Sequence, residues 1–219
     1  ARMWSGQHLA IDFIWSMMAP VQISLTALED IPLVRPGEDL VAIILKALQQ
    51  SDILLHSGDV LVITQKIVSK AENRYVDLRN INPSRRARFL ASEVEKDPRL
   101  VEVILSESSE VLRYRVGVLV VAHRLGFVLA NAGVDSSNVD QVKGSKRVLL
   151  LPCDPDGACA KIRSQLKKCT GAEVGVIIND SHGRAWRNGT VGVALGAAGV
   201  SALLDLRGGP DLYDVPLEV

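Results

Sequence analysis

Residues 147–180 read RVLLLPCDPDGACAKIRSQLKKCTGAEVGVIIND. Two short apolar runs, RVLLLP and EVGVIIND, flank a segment whose polar and apolar positions recur at helical spacing from about Asp156 to Lys168. Strand, helix and strand in that order predict a fold in which helices pack against sheet. Working toward the N-terminus, VGVLVVAH and GFVLANAG read as an antiparallel pair, and DVLVITQKIV reads as a β-branched buried strand. Further upstream, VQISLTAL reads as a strand, and IPLVRPGED as a turn-rich loop that runs into an amphipathic helix from Leu40 to Gln50. Glu38 and Asp39 are expected in that helix's first turn, where they suit its dipole. Ser84 and Asp97 are helix-cap residues, and Pro98 falls at a first helical position. These signals predict two helices, over about 85–94 and 98–107. Toward the C-terminus, the Gly/Ala-rich segment 189–199 is expected to permit close packing. The fold class that follows is α+β: mixed sheets with packed helices, without an internal repeat or a low-complexity tract.

Composition limits the chemistry. At 219 residues with 47% hydrophobic side chains, the chain can bury a substantial core. Twenty-five basic and 25 acidic residues give a formal net charge of zero, so no polyanion-binding surface for nucleic acid is expected. Any phosphate-binding charge must be local. No apolar run approaches the roughly 20 residues of a membrane span, so no membrane partner is expected. Cys153, Cys159 and Cys169 are odd in number and lack zinc-site spacing, which predicts packing residues in a reducing, cytoplasmic setting. The first 20 residues hold all three methionines and two of the three tryptophans. They are expected to be a non-native or atypical leader, with Met18 as a plausible start and residues 21–219 as the functional domain.

Two acidic clusters end apolar runs: FVLANAGVDSSNV, with Asp135 and Asn138, and VGVIINDSHGRAWRNG, with Asp180 and Ser181. Carboxylates delivered at strand ends, followed by glycine-rich backbone, can place hard oxygen ligands for magnesium or manganese beside a phosphate. Neither a Walker nor a Rossmann glycine pattern is present, so phosphates would be met by metal, loop backbone and scattered cations. Lys66, Lys70, Arg184 and Arg187 are candidates for the positive charge, and Gly183 and Gly189 for close backbone approach. Each signal alone also has a plain alternative: aspartate in a turn, lysine on a solvated strand edge, arginine in a surface ion pair. His182, beside the acidic cluster, is expected to face solvent or orient a substrate.

The segments IPLVRPGEDL, GDVLVITQKIVSKAE, GFVLANAGVDSSNV, LLLPCDPDGACAKIR, VIINDSHGRAWRNG and LLDLRGGPDLYD, in this order and spacing, resemble the coenzyme F420-0:L-glutamate ligases. The likeness runs from about Val21 to the C-terminus. It implies an intertwined homodimer that uses GTP to add L-glutamate, and then a further γ-linked glutamate, to coenzyme F420-0 through an acyl phosphate. It also implies two divalent ions, Mg2+ or Mn2+, together with K+. Carried over by motif, Asp135 and Asp180 would bind one metal and Ser181 the second. Ile31, Pro32, Leu33, Val34, Lys70 and Asn138 would contact GTP, as would Gln65, which stands where the family has a serine. Family members continue past LYDVPLEV with a strand and helix that supply further GTP contacts and a glutamine metal ligand. The alternative readings are another nucleotide-dependent carboxylate–amine ligase, or a non-catalytic relative that binds metal or deazaflavin.

Overall fold

The computed structural model describes residues 22–141, 146–183 and 188–218. Helix α1 (Leu40–Gln50) begins where the Asp39 carboxylate accepts from the Val41 and Ala42 N–H groups. Asp39 is therefore the cap itself, and Glu38 lies outside the helix, where it accepts from the Arg35 N–H. Leu40, Val41, Ile44, Ala47 and Leu48 share one face and are buried, as a 3.6-residue repeat requires.

The run DVLVITQKIV divides into two elements, which corrects the single-strand expectation. Strand β1 (Val60–Thr64) gives way at once to helix α2 (Gln65–Ala71). In the second half the buried positions are Gln65, Val68 and Ser69, a spacing that only a helix gathers on one side. Strand β2 (Tyr75–Asp77) and a 3-10 turn (Leu78–Asn80) lead to helices α3 (Arg85–Val94) and α4 (Pro98–Ser106). Both predicted caps form: Ser84 accepts from the Ala87 N–H at 3.1 Å and Asp97 from the Arg99 N–H at 2.9 Å. Strands β3 (Ser108–Arg115), β4 (Val118–His123) and β5 (Val128–Ala130) form an antiparallel sheet in that order, which includes the expected hairpin pair.

Strand β6 (Arg147–Leu149) pairs with β2. Helix α5 (Pro155–Thr170) is capped by Asp154 and stopped by Gly171 in the left-handed conformation. Strands β7 (Gly175–Gly183) and β8 (Thr190–Ala198) complete the fold. In their sheet β7 is central, parallel to β1 and antiparallel to β8. The Gly/Ala-rich segment is thus strand β8, and its small residues do serve packing. A Cβ at Gly196 would lie 2.4 Å from the Pro155 backbone, so only glycine lets the first turn of α5 sit on this strand.

The main core joins α1, β1, α2, α5, β7 and β8 through residues such as Ile44, Ile63, Val68, Leu166 and Ile178. A second cluster packs α3 and α4 on β4 through Leu90, Val101, Ile104, Leu119 and Val121. Each fully buried aliphatic side chain contributes about 1.5–3 kcal/mol. Two further expectations are corrected. Residues 22–28 of VQISLTAL form no strand: no described segment pairs with them, and Ile23 and Leu25 are 84% and 95% exposed. Alternation alone does not make a strand when no neighbour completes its backbone hydrogen bonds. Of the cysteines only Cys159 is buried, while Cys153 and Cys169 are exposed.

Candidate functional site

The parallel pair ends at Thr64 opposite Asn179, and both acidic clusters are tied to that end of the sheet. Carboxyl ends of parallel strands are where α/β sheets open a crevice for ligands. Beyond Asn179, β7 has lost β1 as a neighbour but continues with β8, Asp180 opposite Val193 and His182 opposite Val191. Strand alternation sets Asp180 and His182 on one face of this extension and Ser181, which is exposed, on the other. His182 Nε2 lies 3.1 Å from Asp180 Oδ2, off the direction of a hydrogen bond, and is buried. His182 thus faces the carboxylate rather than solvent.

Asp135 is delivered by a left-handed turn. Asn131, Ala132 and Gly133 have φ of 51°, 53° and 65°, a conformation that costs non-glycine residues of order 1–2 kcal/mol each. The turn is held because the Asn131 side chain accepts from the Leu119 N–H at 3.1 Å and buried Ala132 packs in the second core. The Asp135 backbone then exchanges two hydrogen bonds with Leu149, at 3.0 and 2.8 Å, which anchors it to β6. Its Oδ1 accepts from the Ser137 N–H at 2.7 Å, and its Oδ2 lies 2.7 Å from Lys66 Nζ. Burial would raise the Asp135 pKa, but hydrogen bonds from Lys66 and Ser137 outweigh it and hold the carboxyl below its ordinary value.

A cavity of about 480 Å³ is lined by residues three and four positions along the chain from this pair, Asn138 and Lys70, while Asp135 and Lys66 themselves do not line it. Leu33 and Val34 line it from the loop before α1, Lys70 from α2, and Asn138 from the segment after Asp135. Three stretches separated by dozens of residues therefore meet on one cavity. Ile31 and Pro32 precede the cavity wall. Gln65 is 3% exposed, and its Oε1 accepts from the Ser69 hydroxyl at 3.0 Å, so it braces α2 instead of lining the space. Sequence reasoning missed Tyr75, Asp140 and Arg147, which line the same cavity, the Arg147 guanidinium lying 5.5 Å over the Tyr75 ring. No local pattern marks Tyr75 and Arg147, because β2 and β6 are only three residues long and are brought together by pairing. Arg184 and Arg187 lie outside the described residues.

Among the described residues no three His, Cys, Asp or Glu side chains gather as a metal cage. The donor set still suits magnesium or manganese, which commonly take one or two carboxylates and complete their octahedron with water and substrate phosphate. The ammonium 2.7 Å from Asp135 Oδ2 shows that this carboxylate already attracts a cation. A separate cavity of about 690 Å³ lies between α1, the end of α2 and the start of α5. It contains none of the predicted site residues. No helix among the described residues is long and apolar enough to cross a membrane.

Residues 29–219 match the family described as F420-0:Gamma-glutamyl ligase. The chain is 46% identical over 196 residues to the coenzyme F420:L-glutamate ligase of Methanothermobacter thermautotrophicus, covering 90% of this chain and 76% of that one. It is 44% identical over 195 residues to the protein of the same name from Methanopyrus kandleri, covering 88% and 74%. Against the Archaeoglobus fulgidus protein of that name it is 41% identical over 199 residues, covering 91% and 76%.

Proposed function

Since the chain belongs to the F420-0:gamma-glutamyl ligase family and is a ligase, we propose that it joins L-glutamate to coenzyme F420-0 at the expense of GTP, and extends the product by γ-linked glutamate. The observation that carries the nucleotide part is the convergence of Leu33, Val34, Lys70 and Asn138 on one cavity, Asn138 lying three residues after Asp135 in the chain. Asp140 lines this cavity too, and a carboxylate there would accept from the N1–H and exocyclic amine of guanine, where adenine offers an acceptor at N1. Lys70, in the last turn of α2, supplies a positive charge toward the phosphates.

The chemistry follows from a poor electrophile. A carboxylate does not acylate an amine at neutral pH, so the acceptor's carboxylate oxygen takes the γ-phosphoryl group of GTP and GDP leaves. The glutamate amine then attacks the acyl carbon, phosphate departs, and the amine gives up its proton. In this scheme the protein orients three reactants and neutralises their charge. Divalent metal, when bound, offsets the charge that moves onto the β–γ bridging oxygen. Asp135 and Asp180 are the residues that would hold one ion, and Ser181, on the other face of β7, would belong to a second. Their oxygen donors match the preference of magnesium and manganese for hard ligands.

A homodimer is part of this reading. Strand β1 is the edge of its sheet, yet Val60 and Val62 are 49% and 60% exposed, and Leu203, Leu204 and Tyr213 are more exposed still. Apolar surface of this kind on an unpaired edge is best covered by a second copy. The decisive assay is mass spectrometry of a deazaflavin acceptor after incubation with protein, GTP, Mn2+ and glutamate. A gain of one glutamyl unit is expected, and no gain would overturn the reading.

A further inference from the structure

We propose that Lys66 is an internal counter-ion that keeps bare divalent metal off Asp135 and yields the carboxylate only to metal that arrives chelated to a nucleoside triphosphate. This inference rests on the metal and nucleotide reading given above. Lys66 lies in the first turn of α2, directly after β1. Its ammonium is 2.7 Å from Asp135 Oδ2, 2.7 Å from Ser137 Oγ and 3.3 Å from the Ser137 carbonyl oxygen. An ammonium has three N–H donors, so all are engaged. The other carboxylate oxygen is taken by the Ser137 N–H. With side-chain exposures of 24% and 33%, the pair is sheltered enough to attract yet open enough to be displaced.

A bare dication that approaches Asp135 must detach the ammonium and then sit beside it, two like charges sharing one carboxylate. That arrangement is unfavourable at any separation that allows both to touch the same group. A metal–triphosphate chelate behaves differently, because its phosphate oxygens offer the ammonium a new partner. The exchange then keeps every charge matched: metal moves onto Asp135, the ammonium moves onto phosphate, and its two Ser137 contacts can persist. Lys70 is one helical turn further along α2, on the same face, and lines the neighbouring cavity. The two lysines thus form a cationic strip between Asp135 and the nucleotide cavity.

The test is a Mn2+ titration followed by electron paramagnetic resonance, without nucleotide and with the β,γ-methylene analogue of GTP. Lys66→Met is expected to bind bare Mn2+ about tenfold more tightly than wild type, as removal of a partly shielded ion pair allows. The same variant is expected to bind Mn2+ with the analogue about tenfold more weakly, because the phosphate loses a partner. Bare-metal affinity in Lys66→Met that is unchanged, lower, or undetectable in both proteins overturns the proposal. Asp135→Asn separates this from the parent reading. If that variant loses Mn2+ in the presence of the analogue while Lys66→Met gains nothing for bare metal, the metal assignment stands and the counter-ion role alone fails. Asp135→Asn that keeps wild-type affinity in both titrations removes the metal assignment and the counter-ion role with it.

Discussion

The Cβ that Gly133 lacks would stand 2.9 Å from the Cγ and Cδ2 atoms of Leu151, a side chain buried in the main core. Gly133 also has a φ of 65° and closes the left-handed turn two residues before Asp135. The glycine of the ANAGVD motif is therefore required twice, once by backbone conformation and once by the neighbouring leucine. Gly133→Ala is expected to destabilise the protein by about 2–3 kcal/mol, the sum of left-handed strain and overpacking. Urea denaturation measures this. In the double variant Gly133→Ala, Leu151→Ala the two costs should add to less than their sum, because shortening the leucine makes room for the new methyl.

Asp180 lies on the part of β7 that extends past β1, with its side chain 18% exposed and His182 as its near neighbour. Among the described residues its carboxylate accepts no hydrogen bond from a helix start or a neighbouring strand, so removing it should leave the fold nearly intact. Asp180→Ala is expected to keep the thermal midpoint within a few degrees and to lower kcat/KM for glutamate addition by about three orders of magnitude, as loss of a metal ligand does. Retention of wild-type turnover would leave Asp180 a strand residue without a metal-binding role.

Glu107 carries the heaviest electrostatic load in the fold. It is 5% exposed and lies 3.0 Å from Arg74 Nη2, 3.1 Å from Arg124 Nη2 and 3.7 Å from His123 Nε2. The Leu125 N–H donates to His123 Nδ1 at 3.0 Å, which leaves Nε2 as the nitrogen that carries the proton and faces the carboxylate. Arg74 meanwhile donates to the Leu151 carbonyl at 2.9 Å, tying this group to the segment after β6. Burial would raise the Glu107 pKa, yet the neighbouring His123 imidazole and the two guanidiniums bring it below its ordinary value. Glu107→Gln leaves partly buried positive charge without its counter-charge and is expected to cost about 3 kcal/mol in urea denaturation. A loss under about 1 kcal/mol would show that water reaches the cluster freely.

What the sequence made legible follows from how local each signal is. The caps Ser84 and Asp97 depend on neighbours within four residues and the helical spacing of α1 and α5 on a single local repeat, so helices α1, α3, α4 and α5 could be placed to within a few positions. Strand β3 escaped notice because only Ser108 and Val111 are even half-buried, which leaves no two-residue alternation to read. Helix α2 was hidden by its own apolar content, VLVITQKIV continuing without a break while the backbone changes state at Gln65. For the site, the segments holding Leu33, Val34, Lys70 and Asn138 could be named from their motifs. Their neighbours Tyr75 and Arg147 could not, since only the pairing of β2 with β6 brings them there. The bond between Lys66 and Ser137 spans 71 residues, and nothing near either one announces it.

Asp97 offers a clean pH test, because it combines a helix cap with two ion pairs. Its carboxylate accepts from the Arg99 side chain at 2.7 Å and from Lys146 Nζ at 3.1 Å, as well as from the Arg99 N–H. The Arg99 side-chain hydrogen bond is the chief reason its pKa lies well below the ordinary 3.8, with the Arg99 N–H and Lys146 adding to it against partial burial. A depressed carboxylate pKa in the folded state stabilises above the unfolded value, and that stabilisation disappears as the pH falls through the folded value. Asn caps helices about as well as Asp, so Asp97→Asn removes the ion pairs and spares the cap. At about pH 7 this variant is expected to lose roughly 1 kcal/mol or less, since both cations are substantially exposed. The gap to wild type should hold down to about pH 5 and shrink as the pH falls below about 4, which urea melts at several pH values would trace. Asp97→Ala should lose about 1 kcal/mol more than Asp97→Asn, and that extra loss should persist at low pH because a protonated carboxyl still accepts the Arg99 N–H. A gap between wild type and Asp97→Asn that does not change with pH would show that the paired charges contribute nothing to it.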